Sequence, residues 1–222
     1  MPSPIVSLKN AGLTLRSGAG AVEILKGISL DVMPGETLAL VGPSGSGKSS
    51  LLMLMGGLER ATTGHVAALG QDLGALGEDA LARLRRGNMG VVFQSFHLIP
   101  TLTALENVAV PLELAGASDA ADRAAAQLEA VGLAARAGHY PSQMSGGEQQ
   151  RTALARATAL RPRLILADEP TGNLDSASGA AIIDLLFGLS AQHGATLVLV
   201  THDADLAARC DRTVTLSDGR IA

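Results

Sequence analysis

The stretch Gly42-Pro-Ser-Gly-Ser-Gly-Lys-Ser49 constrains the fold more than any other part of this chain. It follows ETLALV (36–41), an apolar run with the character of a buried strand, and precedes LLMLMGGL (51–58), which reads as an apolar helix. Strand, glycine-rich loop and helix in that order point to an α/β architecture. The spacing G-x-x-x-x-G-K-[ST] suits a phosphate group. Glycines let backbone N–H groups converge on oxygen without side-chain clashes, and a helix opening near Lys48 adds its positive dipole end. In such a loop Lys48 reaches the β- and γ-phosphates of a nucleotide, and the Ser49 hydroxyl ligates Mg²⁺. The expected nucleotide-binding residues are therefore Gly42, Pro43, Ser44, Gly45, Ser46, Gly47, Lys48, Ser49 and Ser50. A glycine-rich turn with a chance Lys-Ser is the bland alternative, and the flanking strand and helix argue against it.

The rest of the chain extends the alternating pattern. PIVSL, GLTL and GISLDV are expected strands, separated by turns at RSGAGAV and before ETLALV at MPGE. HVAAL and MGVVF are further strands, with the helical spacing of DALARLRR between them. From 101 to about 139 the composition turns to Ala, Leu and Glu, and two or more helices are expected, with Ser118 as an N-cap. RLILADE is a strand, Ser176 to Ala191 a helix, ATLVLVT a strand, DADLAARC a helix, and TVTLSDGRIA a hairpin. Strands alternating with helices imply a parallel sheet covered on both faces. The expected division is one domain over 1–222. Residues of about 1–95 and 160–222 form its core, and about 96–159 a helical subdomain.

Composition removes several function classes. The 222 residues carry a net charge of −4 with no basic block, which disfavours nucleic acid bound through a broad basic face. Cys210 is the only cysteine, so no internal disulfide forms, in keeping with a reducing compartment. MPSPIVSLKN lacks the charged and apolar regions of a signal peptide, and no apolar run approaches the roughly 20 residues of a membrane span. With three Phe, one Tyr and no Trp, the core must be built from Ala, Leu, Val and Ile.

Two further motifs carry chemistry. LILADE ends an apolar strand in Asp168 and Glu169, and strand carboxyl ends of a parallel sheet face the ligand crevice. There Asp168 can hold Mg²⁺, and Glu169 can act as general base on water. A strand ending in a solvated acidic turn is the alternative. In SGGEQQR (145–151), Ser145, Gly146 and Gly147 open a polar helix and could form a second anion site. A ligand-free break between helices is the better reading of Ser-Gly-Gly alone.

The order decides between them. Phosphate loop, Gln94 after a strand, SGGEQQR, LILADE, Asp175 and His202 after ATLVLVT succeed one another along essentially the whole chain. That order resembles the ATP-binding-cassette ATPases, whose signature is SGGEQQR-like and sits between the other two motifs. The resemblance implies a P-loop NTPase (RecA-like) parallel sheet core, an N-terminal antiparallel β subdomain and an α-helical signature subdomain. It implies ATP and Mg²⁺, and a dimer in which the signature of one copy contacts the γ-phosphate held by the other. Carried over residue by residue, Gln94 touches Mg²⁺ and the lytic water, and His202 contacts the γ-phosphate and orients Glu169. Asp175 crosses the dimer interface, and Ser145 and Gly147 make the trans phosphate contacts. Standing alone, Gln94 and His202 would be structural residues at strand ends.

Departures from the family pattern are few. Met144 replaces the usual Leu and matches its volume. The aromatic residue that often stacks on adenine is absent. Leu15 takes its place, with Val22 as an apolar substitute, so weak discrimination between ATP and GTP is expected. LTALENV and DEPTGNLD are similar to the branch of lipoprotein-releasing (LolD-type), macrolide-efflux (MacB-type) and YbbA-type proteins. FQSFHLIPTL, MSGGEQQR and LAARCDR most resemble the YbbA-type. The branch implies a separate transmembrane permease of FtsX/MacB type and a position on the cytoplasmic face of the inner membrane. Its action would be export, lipoprotein release or mechanotransmission. Residues 96–102 are either the groove for that permease or subdomain core. A soluble cassette of DNA repair or of ribosomes would carry coiled-coil or zinc insertions, or a second cassette. A non-hydrolysing cassette would have lost Lys48, Glu169 or His202.

Overall fold

Residues 3–17 and 20–222 are described by the computed structural model, apart from the side chains of Ser17, Ser176 and Ala177. Met1 and Pro2, which open the stretch read as lacking a signal peptide, lie outside them. So do Gly18 and Ala19, at the tip of the turn expected at RSGAGAV. In chain order the elements are β1 (Val6–Ser17), β2 (Gly20–Val32), β3 (Thr37–Val41), α1 (Lys48–Met55), β4 (Thr63–Ala68), β5 (Gln71–Asp72) and α2 (Glu78–Arg85). There follow β6 (Met89–Phe93), α3 (Ala104–Leu114), α4 (Ala120–Ala130), α5 (Gly146–Thr158), β7 (Leu164–Asp168) and α6 (Ser176–His193). The chain continues with β8 (Thr196–Val200), α7 (Ala204–Ala208), β9 (Arg212–Ser217) and β10 (Arg220–Ile221). Two units result, Met1–Arg85 with Thr196–Ala222, and Arg86–Ala195.

The first unit holds two strand systems. An antiparallel sheet runs β2-β1-β4-β5. PIVSL and GLTL, expected as two strands, fall in one long β1 whose register slips between Leu8 and Ala11 and again up to Thr14. Asn10 takes a left-handed φ of 49° at that irregularity, so the chain bends without leaving the sheet. In the other system β3 lies between β8 and β9, parallel to both, and β10 closes a hairpin antiparallel to β9. Leu38, Ala39 and Leu40 of β3 and Leu197 to Val200 of β8 are fully buried. That is why these strands read as continuous apolar runs rather than alternating ones.

In the second unit β6 and β7 are parallel, with Phe93 opposite Asp168. Helix α5 packs on β6 and on α3, α4 and α6. Gly90 is required on β6, because a Cβ there would lie 2.4 Å from the Ala157 carbonyl oxygen of α5. Thr103 and Glu106 form a reciprocal capping box at the start of α3. Ser118, expected as an N-cap, sits one residue too early. Asp119 occupies the N-cap position of α4, and its side chain makes no cap bond. Among the described residues no helix is long and apolar enough to cross a membrane.

Candidate functional site

In the first unit the glycine-rich loop leaves β3 and enters α1 directly at Lys48. Gly42, Gly45 and Gly47 have φ values of 139°, 79° and 100°, a region L-residues avoid. A Cβ on Gly42 would lie 2.0 Å from the Leu216 carbonyl oxygen, so no other residue fits there. The loop is braced from behind by the turn between β9 and β10. Gly219 N–H donates to the Ser46 carbonyl (3.2 Å), and Gly219 O accepts from Lys26 N–H (2.8 Å). The Lys26 ammonium also bonds Asp218 at 2.7 Å, which holds that carboxyl below its usual range. A planar trans peptide points its C=O and N–H in opposite directions. Tethering the Ser46 carbonyl therefore aims the Gly47 N–H away from the brace. Lys48 is buried, and its Nζ donates to the carbonyls of Gly42 and Pro43 at 2.9 Å each. Both partners are neutral, so its charge remains for an anion. Ser49 and Ser50 lie in the first turn of α1. His202 follows β8, whose Val200 is level with Leu40 of β3, so it leaves the same carboxyl edge as the loop.

In the second unit the register places Gln94 and Glu169 one residue beyond neighbouring strand ends, with Asp168 as the last residue of β7. Glu169 has φ 43°, a strained value for a residue with a side chain and one that precedes a proline. The Gln94 amide donates to Asn173 Oδ1 (3.3 Å), and Asn173 returns a bond to the Gln94 carbonyl (3.0 Å). Asp175 is the N-cap of α6, its carboxylate accepting from Ser178 N–H at 3.0 Å.

Ser145 is exposed and caps α5. Its hydroxyl accepts from Glu148 N–H (3.3 Å) and donates to the Glu148 carboxylate (3.0 Å). That carboxylate accepts from Ser145 N–H and pairs with Arg136 at 2.7 Å. The Ser145 backbone bond, and after it the Arg136 guanidinium, hold the Glu148 carboxyl below its ordinary range. Gly146 and Gly147 are the first two residues of α5, directly behind the Ser145 cap. The N–H groups of the first turn have no intrahelical acceptor, and the dipole favours an anion.

The family model described as ABC transporter matches residues 25–172. The chain belongs to this family. It is 52% identical over 219 residues to the ABC transporter ATP-binding protein YbbA of Escherichia coli (strain K12), covering 98% of this chain and 96% of that protein. It is 49% identical to the lipoprotein-releasing system ATP-binding protein LolD 2 of Caulobacter vibrioides, over 100% of this chain and 98% of that one. The macrolide export ATP-binding/permease protein MacB of Wolinella succinogenes matches the whole chain at 46% identity, over 34% of its own length. The post-hydrolysis dimer of the cassette MJ0796, bound to ADP and Pi, superposes with a TM-score of 0.91 at 42% identity, covering 97% of this chain and 96% of that one. The protein is thus an ABC transporter ATP-binding protein of the YbbA, LolD and MacB branch, a P-loop NTPase in fold and an ATPase in activity.

Within this cassette Leu15 and Val22 are cross-strand partners at the β1–β2 hairpin and are 45% and 55% exposed. The two residues expected to serve the base thus come together as one small apolar face. Ser49 in the first unit and Asp168 in the second each carry a hard oxygen of the kind Mg²⁺ takes, and no group of three or more His, Cys, Asp or Glu among the described residues could hold a metal ion. An ion that keeps waters and phosphate oxygens as ligands needs only one or two protein donors.

Three side chains with evident work in the cassette have no role in the motif reading. Asn107 is fully buried. It donates to the carbonyls of Ile99, Leu102 and Thr103 and accepts from Ile99 N–H, tying down the loop before α3. Arg156 donates to the carbonyls of Phe96 (3.0 Å) and His97 (2.7 Å), the two left-handed residues after Gln94. Its burial lowers the guanidinium pKa. Gln150 is fully buried under Pro170. In sequence each looks like an ordinary polar helix position; the available signal was its helical spacing from apolar neighbours, as with Gln150, Ala153 and Leu154.

Proposed function

We propose that two copies of this cassette clasp two ATP molecules and that closure and opening of the dimer drive a separate FtsX/MacB-like permease. The carrying observation is the capped start of α5 with Ser145 exposed, which supports reading it as an anion site additional to the phosphate loop. In the dimer it serves the partner's γ-phosphate, and the dimeric ADP- and Pi-bound cassette MJ0796 supports that arrangement. The phosphate loop and Lys48 hold the nucleotide. Glu169 takes a proton from the attacking water, His202 orients Glu169, and Gln94 orients the water. Ser49, Asp168 and Gln94 hold Mg²⁺, which when bound neutralises charge on the transferred phosphoryl. Leu15 and Val22 cover the base, and Asp175 lies at the dimer boundary.

The names of the LolD and MacB relatives support membrane work on the cytoplasmic face of the inner membrane. The segment 96–102 is half-buried to exposed, with Ile99 39% exposed, which favours a docking groove over subdomain core. Export, lipoprotein release and mechanotransmission share this engine. Light scattering on Glu169→Gln tests the sandwich. Dimer is expected with ATP and Mg²⁺ and monomer with ADP; monomer at saturating ATP refutes it. ATPase stimulation on co-expression with an FtsX/MacB-like permease tests the partner, and an unchanged rate in the intact complex counts against it.

A further inference from the structure

We infer that Gln150 is a positioning residue for hydrolysis, fixing Glu169 and Gln94 through the backbone beside each. The inference rests on Glu169 acting as general base. Gln150 lies on α5, is fully buried, and makes contacts at both strand ends. Its Nε2 donates to the Pro170 carbonyl at 2.6 Å and, more weakly, to the Phe93 carbonyl at 3.4 Å. Pro170 immediately follows Glu169, and Phe93 immediately precedes Gln94.

Both neighbours need such a hold. Glu169 occupies the left-handed region at φ 43°, although a following proline pushes a residue toward extended backbone. A conformation of this kind persists only where its surroundings over-determine it. Two restraints act next to it: the Glu169 carbonyl accepts from Gly172 N–H (3.0 Å), and the Pro170 carbonyl accepts from Gln150. The Gln94 side chain lies against Gly172, where a Cβ would come within 2.5 Å of Nε2, and bonds Asn173 in both directions. Gln150 thus closes a circuit running through Pro170, Gly172, Asn173, Gln94 and Phe93. The Gln150 Oε1 is buried with no hydrogen-bond partner among the described residues. An amide is a poor choice there for packing alone, so its donors account for its presence.

The circuit joins α5, capped by Ser145, to both residues that handle the water. A base displaced by about 1 Å loses on the order of 100-fold in rate. The test uses the intact protein with Gln150→Met, which keeps shape and removes the donors, and with Gln150→Asn, which keeps the amide on a shorter arm. Gln150→Met is expected to lower kcat about 10- to 100-fold while KM and the ATP dissociation constant change less than about 3-fold. Gln150→Asn gives the same split at smaller amplitude. Combined with Glu169→Gln, Gln150→Met should lower the residual rate no further, because the two act as one unit. An unchanged kcat, an equal further loss in the Glu169→Gln background, or loss of ATP binding in parallel with turnover would each overturn the inference. A failure of the base assignment is separately visible, as normal turnover in Glu169→Gln alone.

Discussion

Asn107→Leu is the sharpest test of how the loop ahead of α3 is held. Leucine has the same number of heavy side-chain atoms and the same branch point as asparagine, so the change removes hydrogen bonds and leaves no cavity. The two N–H donors of the Asn107 amide are shared among three carbonyls, and its oxygen accepts one bond. An unsatisfied buried group costs about 1–3 kcal/mol. Ile99 is 39% exposed and can recover water, whereas the partners nearer the helix are more enclosed. With one or two groups left unpaired, the loss is about 2–4 kcal/mol, which for a chain of this size is about 4–16 °C in Tm. Differential scanning calorimetry reads that shift, and hydrogen exchange should show protection lost first over 96–103. A Tm within about 2 °C of the parent, with exchange over those residues unchanged, would refute the reasoning.

Other outcomes follow from the same geometry. Lys48→Ala removes the buried ammonium beside Gly42 and Pro43 and should abolish tight ATP binding in a titration; near-normal turnover would contradict the phosphate-loop reading. Because Leu15 and Val22 offer apolar contact without stacking, ATP and GTP should compete nearly equally, and Leu15→Tyr should tighten ATP roughly tenfold. A preference of about 100-fold for ATP in the parent would count against this base site. Glu148 has its carboxyl lowered on folding, so its stabilising effect is complete above the ordinary carboxylate value and lost as pH falls through the lower folded value. Tm should therefore fall on acidification below the carboxylate range, less steeply in Glu148→Gln, and identical slopes would exclude that contribution.

The motifs were legible because their parts are consecutive. The phosphate loop, the strand end at Asp168–Glu169 and the helix start at Ser145 are each a short run of neighbouring residues. In sequence β1 looks like two strands, because its irregularity near Asn10 resembles a break until β2 and β4 show the pairing continuing past it. Ser118 failed as a cap because Asp119 is an equally acceptable candidate by type, and neither the composition nor the spacing separates the two positions. Gln150 and Arg156 stayed hidden for a different reason. Their carbonyl partners are up to 57 and 60 residues away, and nothing local announces a long-range acceptor. Asn107 was closer to view, since its partners lie within 8 residues, but a buried asparagine is indistinguishable from a solvated one until the helix is packed.

The brace behind the phosphate loop has a consequence for biosynthesis. Lys26 and Asp218 are 192 positions apart, a separation that takes about 10–40 s to translate. A nascent chain thus displays the whole glycine motif, with the Lys48 bonds to Gly42 and Pro43 that need no later residue, well before the brace behind it exists. The Asp218–Gly219 turn is thus among the last parts of the cassette to be made, and the bond that tethers the Ser46 carbonyl forms only when nearly the whole chain exists.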